Sequence, residues 1–181
     1  IKGESFVFKS LSYALLSITT SVSTSGIITS SPNADLSVFY ILLTIVGGSL
    51  ISTSSGFKYT RFYILLKISY QEIYRLVKPI NVIDKNLFNT ETKIGDQDFR
   101  IAFLVFISLI ISIFILSSIL IFDTLSFENS FKLSILTLTN TVNSSLYGLS
   151  NINFIELNNF TKFSLIFFMI IGKIEIIALI Y

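Results

Sequence analysis

The chain has 181 residues, of which 52% are hydrophobic, 14% aromatic and 13% charged, with a net charge of +2. A mean hydropathy of +0.77 and half the charge density of an ordinary soluble domain (about 25% charged) argue against a water-soluble globule, and so much apolar surface excludes disorder. The absence of Cys and His removes disulfides, thiol and haem chemistry, the usual zinc sites and every Ser-His or Cys-His catalytic arrangement, and the small net charge gives no reason to expect a nucleic-acid partner.

Taken in chain order, the first element is a short apolar-periodic helix over 8–20. It gives way to the Ser/Thr tract Thr19 to Gly26, too polar to span a bilayer comfortably. A short helix followed by an extended polar loop has the shape of a re-entrant pore segment. After the turn-and-cap signal Pro32-Asn33-Ala34-Asp35, an apolar helix begins at Leu36. Gly47-Gly48-Ser49-Leu50-Ile51-Ser52-Thr53-Ser54-Ser55-Gly56 interrupts it, and the apolar pattern resumes from Phe57 to Val77. Glycines and clustered hydroxyl residues are poor helix interior. The reading is either one broken helix over 36–77 or two short helices joined by a plain loop. A break at membrane depth is tolerated only inside protein or beside water, and so points to a pore or binding site.

A linker over 79–99 follows. Lys67, Arg75, Lys78, Lys85, Lys93 and Arg100 cluster around it, whereas the connection from Asp123 to Asn159 carries only Lys132. The positive-inside rule puts the first segment in the cytoplasm and the second outside. Between them, Ile101 to Phe122 has no charge over 22 residues, about 33 Å of helix, enough for a hydrocarbon core of roughly 30 Å. A second short helix over 128–141 gives way to the polar tract Thr139 to Gly148, whose filter part is Val142-Asn143-Ser144-Ser145-Leu146-Tyr147-Gly148. A last apolar helix over 159–181 contains Lys173 and Glu175. Lys173 near the bilayer centre would face protein or water, or else snorkel to the inner interface. Glu175 is the one acid well inside a span, and no paired carboxylates suggest an enzyme.

The order short helix, polar loop, spanning helix occurs twice. Phe8-Lys9 opens one copy and Phe131-Lys132 the other, with Gly47-Gly48 set against Gly172-Lys173. The fold class is thus an all-α membrane protein of repeated helix–pore loop–helix units. Residues 1–78 form one unit without its first helix, and 100–181 form the next. Two units do not enclose a pore; with Ile1 not an initiator methionine and nothing after Tyr181, a fragment of a longer protein is expected.

A dehydrated potassium ion needs oxygen ligands, which filters supply as rings of backbone carbonyls on an extended chain. Val22-Ser23-Thr24-Ser25-Gly26, within 22–27, fits that requirement, glycine tolerating the unusual backbone angles; a surface loop with a turn glycine is the plain alternative. Ser21 to Ile27, followed by Gly47 to Arg61, resembles the third pore repeat of the Trk/Ktr-type potassium uptake proteins. Met169-Ile170-Ile171-Gly172-Lys173-Ile174-Glu175-Ile176 is similar to the helix of the fourth. The resemblance implies a subunit of four repeats and a potassium ion held by the carbonyls of Ser23, Thr24, Ser25 and Gly26. Val142, Asn143, Ser144 and Ser145 would give the fourth filter segment. It implies a gate loop with Gly47, Gly48, Ser52, Thr53, Ser54, Ser55 and Gly56, and places Lys173 where the family has a pore-facing arginine. It further implies no organic cofactor, a homodimer, a cytosolic nucleotide- or NAD-binding regulatory subunit, and a multi-pass position in a bacterial inner membrane. In the fourth repeat either Leu146 or Gly148 falls opposite Gly26. If it is Leu146, one quarter of the ring lacks its glycine, and the alternatives are a sodium-permeable or a degenerate, non-conducting subunit.

Overall fold

In a computed structural model of the chain the described residues are 2–25, 36–47, 56–77, 95–123, 125–141, 145–149, 152 and 154–173. They form helices α1 (Lys2–Val22), α2 (Ser37–Ile45), α3 (Tyr59–Val77), α4 (Asp96–Phe122), α5 (Phe127–Leu138) and α6 (Asn159–Lys173). A two-residue strand β1 (Val46–Gly47) follows α2, a second, β2 (Phe57–Lys58), precedes α3, and a 3₁₀ turn covers Ser145–Tyr147.

Helix α4 is the axis of the fold. Its 27 residues rise about 40 Å, and among the described residues it is the one helix long and apolar enough to cross a membrane. It starts at Asp96, ahead of the uncharged run, because Asp98 accepts the Gly95 backbone N–H at 2.9 Å. Asp96 and Asp98 both lie in the first turn, where negative charge complements the helix dipole. One face (Ala102, Val105, Ile113, Leu116, Leu120) is buried; Phe103, Phe114 and Phe122 on the rest are exposed.

Helices α3, α5 and α6 all pack on α4, most extensively α5. Every residue of α5 from Lys132 to Leu138 is buried. A helix covered on all sides must satisfy its polar side chains internally. Ser134 and Thr137 do so by donating to the Ser130 and Leu133 carbonyls one turn back, each at 2.7 Å. The core forms around this helix: Tyr40 and Ile41 of α2, Leu116 and Leu120 of α4, Leu136 and Leu138 of α5, Tyr147 of the 3₁₀ turn, and Leu165 and Phe168 of α6.

The apolar run after Pro32 stops being helical at Ile45. There β1 pairs in parallel with β2, Val46 opposite Phe57 and Gly47 opposite Lys58, and α3 then continues to Val77. The intervening stretch is thus tied at both ends by one strand pair. Helix α1 extends beyond both ends of the expected 8–20, to Lys2 and Val22, and α5 ends at Leu138, before the expected 141. The final helix is described to Lys173; residues 174–181 lie outside the described residues.

Candidate functional site

The two short helices terminate in the same way. At the end of α1 the Ser23 N–H donates to the Thr19 carbonyl at 2.9 Å, Thr24 to Ser21 at 3.3 Å and Ser25 to Thr20 at 3.2 Å. At the end of α5 the Thr139 N–H donates to Ile135 at 2.9 Å, Asn140 to Thr137 at 3.1 Å and Thr141 to Leu136 at 2.9 Å. Every bond recurs 116 residues later (Ser23 to Thr139, Ser25 to Thr141). In both copies the third bond spans five residues across a left-handed residue, Thr24 (φ 54°) or Asn140 (φ 51°), a helix-terminating geometry.

Side chains repeat the pattern. The Ser21 hydroxyl donates to the Ser17 carbonyl at 2.8 Å, and that of Thr137 to Leu133 at 2.7 Å. Ser23 donates to the Thr20 carbonyl at 3.4 Å, Thr139 to Leu136 at 3.3 Å. The hydroxyls of Ser23 and Ser25 lie 3.1 Å apart, those of Thr139 and Thr141 2.9 Å. This register corrects the pairing drawn from the Phe-Lys dipeptides. In this register Leu16, not Lys9, corresponds to Lys132, and Leu138 corresponds to Val22. The signal was present as alternating hydroxyls, Ser21, Ser23 and Ser25 against Thr137, Thr139 and Thr141. Thr139, Asn140 and Thr141 open the polar tract in the sequence, but nothing local marks them as the bonded end of the helix.

Neither α1 nor α5 has a basic residue in its last turn. The negative end of each helix dipole is therefore uncompensated by the helix itself and favours a cation beyond it. Among the described residues no group of three or more Asp, Glu, His or Cys could hold a metal ion. The oxygens gathered at these helix ends are backbone carbonyls and hydroxyls.

The remaining expected site residues fall as follows. Val22, expected to open the filter, is the last residue of α1. Ser23, Thr24 and Ser25 form the turn after it. Gly26, Val142, Asn143 and Ser144 lie outside the described residues. Ser145 starts the 3₁₀ turn, where Leu146 and Tyr147 are buried. The Tyr147 hydroxyl is buried near Ser21 without completing a hydrogen bond. Of the expected gate loop, Gly47 pairs with Lys58 in the strand ladder. Gly56, at φ +101°, is positioned so that a Cβ would lie 3.0 Å from the Thr44 carbonyl oxygen, 3.2 Å from that of Ile45 and 3.5 Å from the Thr139 methyl. The base of the loop therefore rests on the end of α5. Gly48, Ser52, Thr53, Ser54 and Ser55 lie outside the described residues.

Lys173 is exposed at the end of α6. The preceding Gly172 is pressed against α5 so closely that a Cβ would lie 2.0 Å from the Leu138 carbonyl oxygen. The Asn140 side chain donates to the Met169 carbonyl at 2.8 Å, so α6 is fastened to the end of α5 at two points beside Lys173.

No family model and no curated protein matches the sequence. The fold is similar to that in the crystal structure of the potassium transporter TrkH from Vibrio parahaemolyticus, with a TM-score of 0.83 over 96% of this chain and 23% identical residues. The chain spans 37% of the length of that transporter. At this identity the likeness is one of fold.

Proposed function

We propose that the chain is the part of a membrane-embedded, Trk-type transporter that contains its third and fourth helix–pore–helix repeats, and that it helps to conduct potassium. The observation that carries this reading is the duplicated helix end. Two helix termini, built alike, one enclosed and one partly open, each end in carbonyls ahead of a polar stretch of sequence, and neither has a basic residue in its last turn. The likeness of fold to a potassium transporter supplies the ion. In this reading the carbonyls of Ser23 to Gly26 ligate the dehydrated cation. The hydroxyl pairs stand behind them and fix where each loop departs. The stretch from Gly47 to Gly56, tied by β1 and β2, closes the path from below, and Lys173 adds a positive charge beneath the filter. A homodimer in a bacterial inner membrane, with a cytosolic nucleotide-binding regulator, is part of the same proposal.

Sodium permeation is the second reading, and the sequence supports it: carried on along the chain, the 116-residue spacing of the two helix ends sets Val142, not a glycine, against Gly26. The experiment is uptake by the full-length protein in cells lacking their own potassium uptake. Potassium-dependent rescue is expected, and Gly26→Ser should raise sodium uptake relative to potassium. No uptake of either ion would remove the transport reading. An unchanged ratio in the mutant would remove Gly26 from the filter.

A further inference from the structure

Lys132 lies in the second turn of α5, where the continuously buried stretch of that helix begins. Its side chain is 11% exposed, against 74% for its partner Glu128. Withdrawing an ammonium from water is costly unless other groups replace the water, and here two do. The Glu128 carboxylate pairs with it from one turn back, which holds that carboxyl below the usual carboxylate range. The Gly148 carbonyl accepts from Nζ at 3.3 Å.

Gly148 is held in turn by its surroundings. It takes a left-handed conformation, φ +65°, and a Cβ there would lie 3.0 Å from the Ser37 Cβ, 3.1 Å from the Ser37 Oγ and 3.3 Å from the Lys132 Nζ. Three elements thus meet at one backbone group: α5, the turn after the second polar loop, and the buried start of α2. The second loop is fastened at its beginning by Thr139, Asn140 and Thr141 and at its end by Lys132. In the first half the position 116 residues before Lys132 is Leu16, an exposed apolar residue.

The geometry points to Lys132 as a positioning residue for the second pore loop: by gripping the Gly148 carbonyl it sets where that loop ends and so controls ion selectivity in the path the loop lines. This rests on the transport reading above. A lysine that merely anchored the fold would alter the amount of protein in the membrane and leave discrimination between ions untouched.

The test is the ratio of potassium to sodium uptake by the full-length protein at matched membrane abundance. Lys132→Met removes the grip and should lower the ratio about tenfold, the scale of one lost buried hydrogen bond. Gly148→Ala, whose methyl would crowd Ser37 and Lys132 Nζ and strain the left-handed backbone, disturbs the same junction and should move the ratio in the same direction. Lys132→Arg keeps a charged donor and should restore the wild-type ratio. A wild-type protein that moves neither ion sinks the transport reading, and this role falls with it. A wild type that transports while both Lys132→Met and Gly148→Ala keep its ratio overturns the positioning role alone. Loss of all three variants from the membrane also overturns it, by making Lys132 a folding anchor.

Discussion

Helices α1 and α5 end in the same hydrogen-bond network, yet α1 is buried only along a stripe (Ser17, Thr20 and Ser21) while α5 is enclosed. On α1, Phe8, Leu11, Leu15 and Leu16 are exposed, as are Ser23 and Ser25 beyond it; on α5 everything from Lys132 to Thr139 is buried. The network therefore forms without full enclosure. It is written locally, by hydroxyl residues at every second position that bond to carbonyls one turn back, followed by a residue that accepts left-handed angles. Burial is added by other elements, and it changes what each bond is worth. A hydroxyl lost beside water is replaced by water, whereas one lost inside leaves its partner unpaired.

The buried copy is most easily broken at Gly172. Gly172→Ala puts a methyl 2.0 Å from the Leu138 carbonyl oxygen, a backbone atom that cannot turn away. Overpacking of this kind costs about 3 kcal/mol, more than the roughly 1 kcal/mol of helix propensity that alanine returns. The detergent-solubilised full-length protein should show a clearly lower thermal midpoint. A midpoint at or above wild type would mean that α6 does not press on the end of α5.

A smaller effect sharpens the comparison itself. Thr139→Ala removes a hydroxyl that is 1% exposed, strands the buried Thr141 hydroxyl, and takes away the methyl that rests near Gly56; about 2 kcal/mol should be lost. Ser23→Ala, the same deletion on the open side, should cost less than about 0.5 kcal/mol. Equal shifts in thermal midpoint would show that the two ends are equally enclosed in the full-length protein, and that the exposure of α1 is covered there by other chain segments.

Much of this architecture was legible in the sequence, because the physics is local. The uncharged run after Arg100 forms a helix by length and composition, extended at its front by Asp96 and Asp98. Gly47-Gly48 and the hydroxyl cluster forecast the end of α2. The repeat was legible too, but its register was not. Phe8-Lys9 and Phe131-Lys132 look alike as letters, whereas Lys132 is positioned by the Gly148 carbonyl sixteen residues on, a tertiary fact with no local mark. The closeness of Gly172 to Leu138 is equally invisible in one dimension, since a helix-interior glycine in a sequence does not name its neighbour. Serine in one copy and threonine in the other hid the alternation that aligns them.

Thr24 marks where the two copies differ in fit. At φ 54° it takes a conformation that β-branched residues rarely adopt, while Asn140, at φ 51°, is a residue type enriched there. The Thr24 hydroxyl, bonded at 2.8 Å to the Ser23 carbonyl next to it, supports the turn but leaves the backbone angle unfavourable. Thr24→Asn makes the first copy match the second at this position. It should stabilise the turn by about 1 kcal/mol, the lower end of what a sparsely populated backbone angle costs. The gain would be read as a modest rise in thermal midpoint, with Thr24→Gly as the companion. Glycine also relaxes the angle, but it adds freedom to the unfolded chain, so it should gain less than asparagine. If both substitutions lower the midpoint, the left-handed angle at Thr24 is not a strain on the protein, and the two helix ends are alike in bonding but not in backbone.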